Sequence, residues 1–223
     1  MERQIIQTAD GSSTIYMPEL NEYYHSSHGA LQEAQHVFIK HGLYSQISDY
    51  LTVLEMGFGT GLNALLSYFA SEKRNQYIHY IGIEAFPPTQ EELEAMNYSS
   101  FSGTQEEEAI EIYKRMHNST WNQPVELAEH FVLEKKNIDF RALQLEPGSV
   151  DLIFYDAFGP RVAPELWTVE CFQLAYDMLA QNGILVTYCA KGQVKRDLTS
   201  VGFLVEALPG PPGKREMTRA RKK

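Results

Sequence analysis

Cysteine is scarce in this chain of 223 residues: Cys171 and Cys189 stand far apart, with no CxxC pair and no histidine cluster beside either. A disulfide framework and a cysteine-ligated zinc site are thereby excluded, and both thiols read as small buried side chains. The seven histidines form no HExxH, so no metal site is expected. No apolar run approaches the roughly 20 residues of a membrane span, and the start MERQIIQTADGSS has no charged-then-apolar signal pattern. The expected location is cytoplasmic, where the sequons at Asn97 and Asn118 carry no consequence. Internal repeats and low-complexity linkers are absent as well, which argues against a solenoid or a tethered pair of domains.

What is present is an ordinary globular composition, 43% hydrophobic and 22% charged, enough for one good core. We expect a single folding unit at residues 50–223, preceded by an extension at 1–49 that packs on it. The net charge of -10 argues at first against a polyanion partner. Its distribution reverses that inference: from Thr187 to Lys223 nine basic residues face three acidic ones, so that end is +6 and the remainder -16.

The extension opens with QIIQTADGSSTIYM, where Asp10-Gly11 between two alternating runs predicts a hairpin. HGALQEAQHVFIKHGL then places Leu31, Ala34, Val37 and Phe38 on one side of an amphipathic helix. From Tyr50 the pattern is strand (LTVLEM), glycine turn (GFGTG), helix (LNALLSYFASEK) and strand (YIHYIGIE). Further strands are expected at VELAEHFVLEK, VDLIFYD, GILVTYC and GFLVEAL, with a final one after PGPPG. A helix is expected at PELWTVECFQLAYDMLA. Two more begin with capping-box spacings, Thr89 to Glu92 and Thr104 to Glu107. Strands alternating with helices of this length predict an α/β fold with a mostly parallel, seven-stranded, Rossmann-like sheet.

The turn after the first of these strands reads Glu55-Met56-Gly57-Phe58-Gly59-Thr60-Gly61-Leu62-Asn63. Its glycines permit a sharp turn and close approach of a ligand, at the strand end where α/β folds bind ligands. The spacing is GxGxG, and Leu62 stands where a dinucleotide site needs its third glycine. No Gly-Lys-Ser/Thr follows, which excludes a P-loop. Glu55 would repel a pyrophosphate but suits a cationic amino-acid moiety, a combination that favours S-adenosylmethionine. Glu84 ends the second strand, where a carboxylate takes both ribose hydroxyls, and Asp139 follows the third, placed to reach an adenine amino group.

Together with GALQEAQHVF, LEMGFGTGLNALL, YIGIE, YDAFGPRVAPELW and the late GKREM, these features make the chain resemble the MnmC/MnmD tRNA methyltransferases. GFGTGLN alone marks class I methyltransferases in general; the DAF-P…W segment combined with KREM is the more specific signal. The resemblance runs from about Tyr16 to Met217. It implies a class I methyltransferase fold and S-adenosylmethionine surrounded by Gly57, Gly59, Gly61, Glu84 and Asp139. It also implies that Asp156 is the active-site aspartate. The implied reaction converts 5-aminomethyl(-2-thio)uridine at the anticodon wobble position to its methylaminomethyl form. Many such proteins carry a fused FAD-dependent oxidase domain; nothing of that kind follows Lys223, so a stand-alone methyltransferase is the expectation. The chain departs from the family's pattern at Ala157, Gly159, the Arg161-Val162-Ala163-Pro164 segment and Glu33-Ala34.

Methyl transfer to an amine needs an unprotonated nitrogen aligned with the donor, and a carboxylate beside it serves both needs. Asp156 is the expected catalytic group, with Phe158 and Pro160 shaping the pocket for an unstacked base of the anticodon loop. Lys214 and Arg215 are expected to hold phosphate or border the site. Arg161, Lys191, Lys195 and Arg196 are expected to extend the tRNA surface, while Arg221, Lys222 and Lys223 read as a solvated tail. For Tyr23, Tyr24, His25 and His28 a lid and a packed linker both remain open. The competing functions are a methyltransferase of small amines and a non-catalytic nucleoside-binding or RNA-binding scaffold; a NAD-dependent oxidoreductase is disfavoured by Leu62.

Overall fold

β4 (Tyr50–Met56) is buried on both faces from Val53 to Met56, which makes it the central strand of the domain. In the computed structural model, which describes residues 2–98 and 106–223, β4 lies between two parallel neighbours, β5 (Tyr77–Ile83) and β8 (Val150–Tyr155). Parallel strands continue outward with β7 (Phe131–Lys136) on one side and β9 (Leu179–Thr187) on the other. β11 (Glu216–Arg221) inserts antiparallel between β9 and β10 (Leu204–Pro209). With β6 (Pro124–Ala128) at the far edge the sheet has eight strands, in the order β10-β11-β9-β8-β4-β5-β7-β6.

The eighth strand corrects the sequence reading. VELAEHFVLEK is a hairpin, with β6 antiparallel to β7, a bulge between Glu126 and Ala128, and Ala128 paired with Phe131. The turn has no glycine, asparagine or proline to announce it, and the apolar pattern runs through it.

One sheet face presents Val53, Tyr80, Phe131, Leu152 and Phe154 to α2 (Leu62–Arg74) and to the extension. The other presents Leu54, Met56, Ile81, Ile153 and Tyr155 to α5 (Val169–Met178) and α6 (Gly192–Ser200). Burying each such large side chain contributes about 1.5–3 kcal/mol. α3 (Gln90–Glu94) starts with the expected Thr89–Glu92 capping box; the Thr104 cap expected before α4 (Glu106–Asn118) lies outside the described residues.

The extension forms the expected hairpin, β1 (Gln4–Gln7) with β2 (Ser13–Met17), and adds a short third strand, β3 (Glu22–Tyr23). Its helix is in two parts, α1 (Ala30–Ala34) and a wider π-turn at Gln35–Lys40, where the His41 N–H reaches the His36 carbonyl. Ala34, Val37 and Phe38 are buried as the periodicity requires.

The end of the chain is not a solvated tail. Arg221 belongs to β11 and donates to the Asn182 carbonyl, and Lys222 donates to the carbonyls of Tyr176 and Leu179 at the end of α5. An ammonium is well placed at a helix C-terminus, where unpaired carbonyls concentrate negative charge. Among the described residues no helix is long and apolar enough to cross a membrane.

Candidate active site

The carboxyl ends of β4, β5, β7 and β8 surround a cavity of about 330 Å³. Its floor is the glycine loop. The Gly57 and Phe58 N–H groups both donate to the Ile83 carbonyl (3.0 and 2.9 Å), and Glu84 accepts from the N–H of Gly59 (2.9 Å) and Phe86 (2.8 Å). The loop is thus tied to the end of β5 before any ligand arrives. Gly57 has φ 93°, and a Cβ there would lie 2.7 Å from the Asp156 carbonyl oxygen, so the turn excludes any other residue.

α4 holds the loop from behind. The Tyr113 hydroxyl donates to the Thr60 carbonyl (3.0 Å), and His117 Nε2 meets the same oxygen at 3.1 Å. Burial pushes the His117 imidazole down to about 4, so at neutral pH it is uncharged and Nε2–H is the donor. Lys135, buried against Trp121, donates in turn to the His117 carbonyl at 2.8 Å.

Asp156 follows β8 immediately, and its N–H donates to the Met56 carbonyl (3.0 Å), which locks the two strand ends together. Its half-buried side chain lines the cavity. Burial raises its carboxyl well above the ordinary aspartate value, and the charges of Glu55 and Glu33 push the same way. Glu55 is 1% exposed, accepting from Asn63 Nδ2 (2.7 Å) and the Tyr80 hydroxyl (2.8 Å). Burial pushes Glu55 up to about 8 despite those bonds.

The other residues expected from sequence are distributed as follows. Glu55, Gly57, Gly59, Glu84, Asp139 and Phe158 all line the cavity with Asp156. Gly61 caps the start of α2 with φ 76°. Asp139 takes the Arg141 guanidinium in a two-pronged contact (2.9 and 2.6 Å), which lowers its carboxyl pKa and engages both of its oxygens. Pro160 belongs to the same loop as Phe158 but is not among the cavity-lining residues. Lys214 pairs with Glu33 and lies 4.4 Å from the Tyr188 ring centroid; the Tyr188 hydroxyl donates to the Ala157 carbonyl (2.7 Å). Arg215 is exposed, beside Lys191 in a shallow recess next to Tyr188.

Two expected surface cations are engaged within the chain. Lys195 pairs with Glu216 (2.7 Å), and Arg161 donates to Glu22 (2.8 Å) and to the Leu20 and Asn21 carbonyls. Arg196 reaches its neighbour Gln193 (2.7 Å) while staying exposed.

Reasoning from sequence left the extension's role open, and the structure places it over the cavity. Met17, Leu20, Tyr24 and His25 form part of the wall, with the Tyr24 ring edge-on to Phe158 at 5.1 Å. Arg3 latches one side through Glu92 (3.0 Å) and the Phe86 carbonyl (3.0 Å), and Arg161 latches the other. Asn63, Tyr80 and Tyr188 were missed. Asn63 had one available signal, a polar residue within the apolar first turn LNALL of its helix.

These features fit S-adenosylmethionine. Ile83, Ile138, Phe140 and Ala157 offer apolar walls for a flat base, and each Glu84 oxygen keeps acceptor capacity for a ribose diol after its backbone contact. The floor is shaped by glycines that a Cβ would fill.

Comparison with known proteins agrees. The chain is 32% identical over 213 residues to the tRNA 5-methylaminomethyl-2-thiouridine biosynthesis bifunctional protein MnmC of Aromatoleum aromaticum, covering 90% of this chain and 32% of that protein. It is 31% identical over 215 residues to the protein of the same name from Leptospira interrogans, covering 89% and 32%. The chain therefore spans about a third of the length of these relatives. The crystal structure of MNMC2 from Aquifex aeolicus superposes with a TM-score of 0.82 at 24% identity, covering 100% of this chain and 70% of that one. Spermidine synthase from Thermotoga maritima shares the fold more distantly, with a TM-score of 0.52 at 14% identity. Residues 106–223, which supply Asp139, Asp156 and the basic C-terminal strands, match the profile of a family described as S-adenosyl-L-methionine-dependent methyltransferase. With a cavity built for that cofactor and a profile match over more than half its length, the chain belongs to the S-adenosyl-L-methionine-dependent methyltransferase family.

Proposed function

We propose that the protein methylates the amine of 5-aminomethyl(-2-thio)uridine at the wobble position of tRNA, giving the methylaminomethyl form. The observation that carries this reading is Asp156, a carboxylate with an elevated pKa on the wall of the cofactor cavity, in a chain similar over 90% of its length to MnmC. When bound, S-adenosylmethionine supplies an electrophilic methyl group on a sulfonium, which needs no further activation.

Gly57, Gly59, Gly61 and Glu84 hold the cofactor, with Glu84 taking the ribose. Glu55 lines the same cavity and supports the loop through Asn63. Asp139, clamped by Arg141, borders the base.

The chain's remaining task concerns a proton. A primary aminomethyl group is an ammonium at neutral pH and has no lone pair to offer. Asp156 accepts that proton: an N–H bond breaks, an O–H bond forms on the carboxylate, and the nitrogen keeps its electron pair. An aspartate of ordinary acidity would be a poor base for an amine. The raised pKa narrows the mismatch. Phe158 and Tyr24 provide aromatic surface beside the carboxylate for an unstacked uridine.

Lys191 and Arg215, exposed around the recess beside Tyr188, form the nearest phosphate-binding surface. Reversing both charges weakens tRNA binding and flattens its salt dependence, each lost phosphate contact reducing the slope by about one. Reversing Lys195, whose ammonium is held by Glu216, has the smaller effect. Binding curves over a salt series distinguish the two.

The decisive experiment is transfer from labelled S-adenosylmethionine to tRNA lacking only this methyl, followed by nucleoside analysis. Methylaminomethyl uridine is the expected product. Label appearing on free small amines and not on tRNA would replace the reading with a small-amine methyltransferase.

A further inference from the structure

Behind the cavity a hydrogen-bonded chain runs from β5 through β4 and α2 to the end of β8. The Tyr80 hydroxyl donates to Glu55 Oε2 (2.8 Å), and Asn63 Nδ2 donates both to Glu55 Oε1 (2.7 Å) and to Asp156 Oδ2 (2.8 Å). One amide nitrogen, with its two hydrogens, thus serves two carboxyls. The amide is placed with Nδ2 toward both acids, which gives each of them a donor. As placed, Asn63 Oδ1 is buried and has no hydrogen-bond partner among the described residues, a cost accepted to keep the nitrogen on both acids.

We infer that Asn63 is a positioning residue that joins Glu55 and Asp156 into one unit sharing a single proton. The physical reason is charge. Two carboxylates on the same NH2 group, one of them 1% exposed, cannot both ionise cheaply. The other groups facing the pair do not neutralise it fully, although the Lys214 ammonium pulls Asp156 down. Lys214 is taken by Glu33, Glu84 adds a third negative charge, and the Tyr80 and Tyr188 hydroxyls stay protonated because burial raises both.

The consequence for catalysis rests on Asp156 being the proton acceptor proposed above. Holding one proton back, the pair leaves one negative charge to meet the incoming ammonium. With that proton on Glu55, Asp156 is the ionised member of the pair and takes the amine's proton.

Two measurements test this, and the first needs neither tRNA nor cofactor. Infrared spectra of protein carrying 13C-labelled aspartate and glutamate carboxyls should show a protonated-carboxyl C=O band at neutral pH that disappears in Glu55→Gln. Gln is isosteric and can accept from Asn63 and donate to the Tyr80 oxygen, so the fold is kept. A wild-type spectrum without the band, or a band unchanged in Glu55→Gln, overturns the shared proton.

The second measurement is the pH profile of kcat for methyl transfer. Glu55→Gln leaves Asp156 to titrate alone, without the share of the common proton that it carried, so its acid limb moves down by about one pH unit. Asn63→Ala removes a hydrogen bond to the carboxylate, so its acid limb moves up. Titration of each variant with S-adenosylhomocysteine separates a loss of cofactor binding from the shift in the acid limb. Shifts of the same sign, or none, overturn the positioning role. If tRNA proves not to be the substrate, the infrared result still decides whether the proton is shared.

Discussion

Replacing Asp156 by Asn should lower kcat for methyl transfer by about two to four orders of magnitude, the usual worth of a positioned general base. Affinity for S-adenosylmethionine should change little. Asn is nearly isosteric, and its carbonyl oxygen can accept from Asn63 Nδ2 as Oδ2 does now at 2.8 Å. What it cannot do is take a proton. Raising the pH should partly restore the variant, because a growing fraction of the amine then arrives unprotonated. Isothermal titration with S-adenosylhomocysteine beside single-turnover kinetics separates the two effects. A variant with near-wild-type turnover would remove Asp156 from the mechanism.

The same substitution should leave stability intact or improve it. Burial raises the native pKa of Asp156, so the folded state binds this proton more tightly than the unfolded chain, whose value is near 3.8. The group's contribution is fully present below that unfolded value and is lost as pH rises toward the native one. Unfolding curves of Asp156→Asn and wild type should therefore nearly coincide at pH 3. At pH 8 the variant should be the more stable.

The second large effect concerns the loop. Gly57→Ala places a Cβ 2.7 Å from a backbone oxygen at φ 93°, a conformation side chains rarely adopt. Neither atom belongs to a flexible group, so the loop or the end of β8 must move. Both carry the site. Cofactor affinity should fall at least about tenfold, with about 1–3 kcal/mol lost from the fold. Gly148→Ala is the matched control, with φ 73° and nothing within 4 Å of its added Cβ. It should cost about 1–2 kcal/mol and leave cofactor binding unchanged. Equal affinities in the two variants would show that the Gly57 turn does not shape the cofactor site.

Local rules carried most of the architecture. Asp10-Gly11 marked the first hairpin, Thr89 and Glu92 capped α3, and the alternation of apolar strands with helices placed the glycine loop at the end of β4. The β6–β7 hairpin escaped them because its turn contains only Glu129 and His130 between paired residues. The tail escaped for a different reason. Lys222 is indistinguishable in sequence from a solvated lysine until α5 ends within its reach, with carbonyls to cap.

In the candidate site the division is sharper. Sequence alone determined that a GxGxG turn would follow a buried strand, that Glu84, Asp139 and Asp156 would stand at strand ends, and that basic residues would gather at the C-terminal end of the chain. Those are consequences of periodicity and chain order. Tertiary structure decided what each acid faces. Strand alternation puts Glu55 on the same face as Val53, under α2, where Asn63 and Tyr80 meet it, so this cavity-lining acid is also joined to Asp156 through Asn63. Asp139 meets Arg141, Lys214 meets Glu33, and Arg161 closes on the extension. The pairings of Lys214 and Arg161 depend on side chains converging across elements, whereas Asp139 and Arg141 are two residues apart in one turn. Residue type and spacing place a charge at a strand end, while the three-dimensional packing of other chain segments determines its neighbours and therefore its pKa.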